Sequence, residues 1–173
     1  MSLIACIQIP DLAIAVAQQT DPALANVPLL LYQPGSPATV YAAAPETGVP
    51  IGLPLRQAVL RAPQAVYRPA APARDQAIFA ALTDLLSSFS PRVAAGALLP
   101  HATVAIDLGR VLLPRALALA EQTGAAIRAQ LGLVPALGLA RTRFVAGVAA
   151  ATAGTGVAVL VPPNREARFL APL

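Results

Sequence analysis

A chain of 173 residues, 57% of them hydrophobic and 12% charged, is long enough for one domain with a real core. Its basic side chains are twelve arginines with no lysine, set against eight acids for a formal charge of +4. That excess is compatible with phosphate contacts but too small to demand them, and the single cysteine excludes an internal disulfide and a cysteine-based zinc site and fits a reducing cytoplasm.

Residues 2–9 are apolar and β-prone and predict a strand, which Pro10-Asp11 ends. Residues 12–19 read as a helix with Asp11 at its N-cap, and Asp21-Pro22-Ala23-Leu24 as a turn. Two short strands are expected at 28–33 and 39–43, about a Pro34-Gly35-Ser36-Pro37 turn. Gly48 and Gly52 permit tight turns, and Pro54 opens a short helix that ends before Pro63. Val66-Tyr67 is a short strand and 68–72 a Pro/Ala linker.

Across 73–89, Ile78, Leu82, Leu85, Leu86 and Phe89 recur at helical spacing, and Ser90-Pro91 ends the helix. Residues 92–99 and 103–108 predict strands joined at Pro100-His101. A long Ala/Leu helix follows at 114–131, with Gly132 just past its end. Then come a strand at 134–140, a helix at 142–153, a strand at 157–161 and a helix start at 164–170. The uncharged run from 144 to 164 is long enough to raise a membrane span. Gly154-Thr155-Gly156 interrupts it, and a helix, a glycine turn and a strand account for it better. No secretory signal is expected, since Pro10-Asp11 breaks the apolar start and no basic stretch precedes it. With 28–72 set aside, the order β, α, β-hairpin, α, β, α, β suits an α+β fold with an antiparallel or mixed sheet and helices on one face.

Three stretches resemble the Y-family DNA polymerases. They are the opening strand, turn, helix and Asp-Pro-Ala-Leu succession; Gly48-Val49-Pro50-Ile51-Gly52-Leu53-Pro54-Leu55-Arg56-Gln57-Ala58 with Arg61-Ala62-Pro63; and Gly138-Leu139-Ala140-Arg141-Thr142-Arg143-Phe144. The resemblance implies a ferredoxin-like palm at 1–27 and 73–173, ending at the start of a thumb, with a small fingers module inserted at 28–72. It places the family's first metal-binding Asp on Gln8 and its sugar-screening aromatic on Ala13. Its later acid pair falls within 94–100, on Leu99 and Pro100, where no carboxylate stands. The Tyr and Arg that hold the incoming triphosphate fall on Ala42 and Pro45. Arg143 takes the place of a phosphate-binding Lys, and with Arg141 forms the one basic element retained. A second family Lys falls on Gly147.

Two-metal phosphoryl transfer needs several anionic oxygens on two cations about 3.5–4 Å apart, and the neutral amide of Gln8 does not supply that charge. These replacements resemble the ImuB branch of the family. The expectation is therefore a protein that is not an enzyme, uses no metal or cofactor, and acts as an adaptor in bacterial translesion synthesis and SOS mutagenesis. The resemblance implies an ImuA-type RecA-like protein, an error-prone replicative-type polymerase and the sliding clamp as partners, met mostly through segments beyond residue 173. It also implies a cytoplasmic location, no membrane and a weak contact with DNA. Two readings stand beside it: a divergent active polymerase using Asp11 and Asp107, and a small oligomerising α+β domain unrelated to DNA. For Asp107 taken alone a turn role is expected, and the one histidine, His101, has no companion ligands in sequence.

Overall fold

The computed structural model describes residues 2–172. In chain order its elements are β1 (Leu3–Ile9), α1 (Leu12–Thr20), β2 (Leu29–Gln33), β3 (Thr39–Ala43), α2 (Leu55–Arg61), β4 (Val66–Pro69) and α3 (Pro72–Ser87). There follow β5 (Val93–Ala95), β6 (Ala102–Gly109), α4 (Leu113–Leu131), β7 (Ala136–Ala140), α5 (Arg143–Thr152), β8 (Ala158–Leu160) and α6 (Glu166–Leu170). The chain divides into two units, one made of the stretch up to Pro10 with everything from Ile78 onward, the other of Asp11–Ala77. Thus α1 groups with the second unit, whereas the sequence reading put the boundaries at 27/28 and 72/73.

The first unit is built on a five-stranded sheet in the order β5-β6-β1-β7-β8. All neighbours are antiparallel except β7 and β8, which are parallel, so the sheet is mixed, as expected. Central β1 is apolar at nearly every position because both of its faces are covered. Pairing sets Ala5, Ile7 and Ile9 on one face with Ile106, Val104 and Ala102. Helix α4 lies over that face, where a Cβ on its Gly124 would stand 3.4 Å from Leu137.

The opposite face carries Ile4, Cys6 and Gln8 and is crossed by α5, so one helix covers a face that the sequence reading left bare. Cys6 packs there with Ala140, Val145, Ala146, Ala149, Ala150 and Val161. The crossing is close enough to dictate a residue: a Cβ on Gly138 would fall 2.0 Å from the Ala146 carbonyl oxygen and 2.3 Å from the Ala150 nitrogen. Only glycine lets the helix rest on β7.

In the second unit β2 lies between β3 (antiparallel) and β4 (parallel). Leu30, Val40, Val49 and Ala58 form one of its buried clusters. The Tyr67 hydroxyl donates to the Ala62 carbonyl at the end of α2, at 2.7 Å. Helix α1 buries Leu12, Ala13, Ile14 and Val16. Asp11 holds the N-cap position expected of it, but in the left-handed region (φ 46°), and its side chain does not cap the helix.

Elements run close to their expected bounds, with instructive exceptions. The strand expected at 92–99 shortens to Val93–Ala95, because Gly96 and Ala97 bend into a closed hairpin end on Thr103. The uncharged run divides into α5, a turn and β8 as the glycines indicated, and no helix among the described residues is long and apolar enough to cross a membrane.

Candidate functional site

The face of the sheet that bears Gln8 is set by strand alternation. Ile4, Cys6 and Gln8 of β1 pair with Asp107, Ala105 and Thr103 of β6. Across the other edge of β1, Gln8 pairs with Ala136. Thr103 closes the β5–β6 hairpin: its carbonyl accepts from Gly96 N (2.8 Å), its Oγ1 from Ala97 N (3.0 Å), and its own N donates to Ala97 O (2.8 Å). A Cβ on Gly96 would stand 2.4 Å from that Oγ1, so a side chain there would have to displace the Thr103 hydroxyl. The residues that the ladder brings up to Gln8 are therefore Thr103 and its partners Gly96 and Ala97. Leu99 and Pro100 lie further out, in the loop between the strands.

Arg143 and Arg141 go different ways. Arg143 is the first residue of α5, whose N-terminus is capped by Thr142 Oγ1 accepting from Val145 N at 3.3 Å. Its Nη2 reaches to 3.4 Å from the place a Cβ on Gly96 would take, so it stands beside the hairpin next to Gln8. Its charge is also felt at the Cys6 thiol, whose pKa burial pushes up while Arg143 opposes the shift. A hollow of about 390 Å³ lies along the same face toward Ile4 and Asp107, which line it together with Ala94, Ala105, Arg92 and Arg143. Arg141 turns instead to Asn164, donating to its Oδ1 at 3.4 Å.

Asp107 is occupied at the far end of the same face. It pairs with Ile4, four residues from Gln8 along β1, or roughly 13 Å of strand. Its carboxylate accepts from the Ser2 hydroxyl, from Gly109 N at 2.8 Å and from Arg92 Nη1 at 3.2 Å. The Ser2 bond first, then the Gly109 amide and Arg92, hold its pKa below the usual carboxylate value. Gly109 itself is left-handed (φ 69°), so Asp107 fastens the turn that ends β6. Among the described residues no group of three or more His, Cys, Asp or Glu is arranged to hold a metal ion.

In the second unit Ala42 is buried on β3 and Pro45 is exposed. The polar pair in this region is one that sequence reasoning missed, Tyr41 and Asp75. Asp75 is 2% exposed, and its carboxyl accepts from the Tyr41 hydroxyl. Burial first, then the neighbouring carboxylate, pushes Tyr41 up to about 12. An acid in the first turn of a helix is ordinarily solvated and favoured by the helix dipole, so nothing in the sequence signalled its burial.

The chain matches the family model described as impB/mucB/samB over residues 9–151. No curated protein sequence matches it. Among solved structures it is similar to the insertion ternary complex of Dbh DNA polymerase, with a TM-score of 0.87 and 17% identity over 99% of this chain and 52% of that one. It is similar to DinB from Sulfolobus solfataricus, with a TM-score of 0.87 and 17% identity over 97% of this chain and 50% of that one. A DinB family error-prone DNA polymerase from Sulfolobus solfataricus gives 0.84 and 18% identity, over 97% and 49%. The chain spans about half the length of these structures. At such identities the likeness establishes the fold, the α+β palm of the Y-family polymerases.

One expectation is thereby corrected. The sequence reading held that this is not an enzyme, yet the structures that share its fold are DNA polymerases. A neutral Gln8 and the Leu99-Pro100 stretch do not by themselves decide catalytic status in a frame that these polymerases share. The reading as an α+β domain with no tie to polymerases also falls, because the family match runs through both units. A match over residues 9–151 covers far more than half of the sequence, and on that ground the chain belongs to the impB/mucB/samB family.

Proposed function

We propose that this chain is the palm-and-fingers part of a bacterial translesion-synthesis protein and works as an adaptor in an error-prone polymerase complex, in the manner of ImuB. The observation that carries this reading is the set of large apolar side chains left in solvent on a frame that the family match covers over residues 9–151. An adaptor needs a stable frame and open faces, and Leu60, Leu112 and Phe144 remain exposed on this one. The proposed partners are an ImuA-type RecA-like protein, an error-prone replicative-type polymerase and the sliding clamp, in the cytoplasm. Arg143, and more weakly Arg141, would make the phosphate contacts of a weak, salt-sensitive association with DNA.

The second reading is nucleotide addition by the full-length protein, favoured by the polymerases whose fold it shares. Two measurements on the full-length protein separate the readings. Co-purification with each proposed partner should succeed for the adaptor, and failure with all of them would overturn it. Mg²⁺-dependent primer extension by the purified protein alone would establish the second reading.

A further inference from the structure

The second unit contains a hollow of about 200 Å³ that the adaptor reading does not use. Its floor includes the buried Val16, Leu24 and Leu31, and the exposed Arg68 and Arg74 stand at its mouth. Asp75 is part of its wall and is only 2% exposed. The Asp75 carboxyl accepts from the Tyr41 hydroxyl, but its Oδ2 has no hydrogen-bond partner among the described residues. A buried carboxyl oxygen without a donor is costly, and such a group calls for something that supplies one. Burial accordingly raises the pKa of Asp75.

The charges around the hollow select the chemistry. A simple anion would meet the Asp75 carboxyl at depth, and a simple cation would meet two guanidinium groups at the mouth. Arg74 donates to Thr20 Oγ1 at 3.0 Å and Arg68 to the Tyr67 carbonyl at 3.2 Å, which leaves each with further donors. Asp21 lies at the same hollow, with its carboxylate accepting from Ala23 N at 3.1 Å. The volume equals about seven liquid-water volumes.

We propose that this hollow binds a small zwitterion of the aliphatic amino-acid class. Its ammonium donates to Asp75 Oδ2, its hydrocarbon lies along Val16, Leu24 and Leu31, and its carboxylate meets Arg68 and Arg74.

The test is calorimetric titration of the chain with L-norvaline, and separately with butylamine and pentanoate. Norvaline should bind saturably, and each single-charge probe at least tenfold more weakly. Asp75→Asn, which keeps the shape, should weaken norvaline at least tenfold, and the surface change Arg74→Gln should weaken it several-fold. A thermal scan of each variant establishes that it is folded. Absence of saturable norvaline binding, as a hollow holding only water would give, overturns the proposal. So does butylamine binding as tightly as norvaline, or an Asp75→Asn variant that binds like the parent.

Discussion

Asp107 and Asp75 are shifted in opposite directions, and the two causes lead to opposite pH dependences. Asp107 is lowered by donors that favour its charged form. Its contribution to stability is present above the ordinary carboxylate value of 3.8 and is lost as pH falls through the lowered value. Asp107→Asn should therefore flatten the acid side of a plot of Tm against pH, and an unchanged slope below pH 4 would refute the assignment. Asp75 is raised, chiefly by burial, against the opposing pull of Tyr41 and Arg74. Its contribution is fully present below 3.8 and is lost as pH rises through the raised value. Asp75→Asn should accordingly gain stability over the parent as pH increases, with the difference closing in acid. Parallel curves for the two proteins would count against a carboxyl raised by burial.

At the level of elements, the contact of α5 with β7 decides how the palm face is built. Gly138→Ala forces a methyl group into the backbone of α5, and neither partner can give way. The cost should be about 3 kcal/mol or more, at the severe end of single substitutions. Chemical denaturation checks it, and a loss under 1 kcal/mol would mean that the helix stands off the strand. The N-terminus of the same helix rests on Thr142, and Thr142→Ala should cost about 1 kcal/mol by freeing Val145 N. That loss also loosens the turn that aims Arg143. The proposed DNA binding should then fall beyond what the thermal change alone explains, as fluorescence anisotropy at low salt would show.

For the whole molecule, scarcity of charge is the dominant trait. With 12% charged residues, large apolar side chains remain in solvent: Leu60 at 82% exposure, Leu112 at 80% and Phe144 at 69%. These are candidates for partner contacts, and without partners they should drive association of the chain with itself. Sedimentation should show a concentration-dependent rise in mass, reduced by Leu60→Glu, Leu112→Glu or Phe144→Glu according to which patch is used. An ideal monomer at high concentration, with no binding of an apolar-surface dye, would remove this expectation.

What the sequence determined by itself was local. The spacing of Leu82 and Leu86, the Gly132 that ends α4 and the glycines that divide 144–164 were all legible, since each acts through neighbours a few residues away. The order of elements and three stretches of motif also sufficed for the family. Only the tertiary structure decided which residues face one another. Thr103, and not Leu99 or Pro100, stands opposite Gln8 because register is set by a ladder between strands far apart in sequence. Likewise Asp75 is buried, Asp107 is held by Ser2, and α5 lies on Gly138. Each depends on long-range packing, which no pattern of periodicity or propensity encodes.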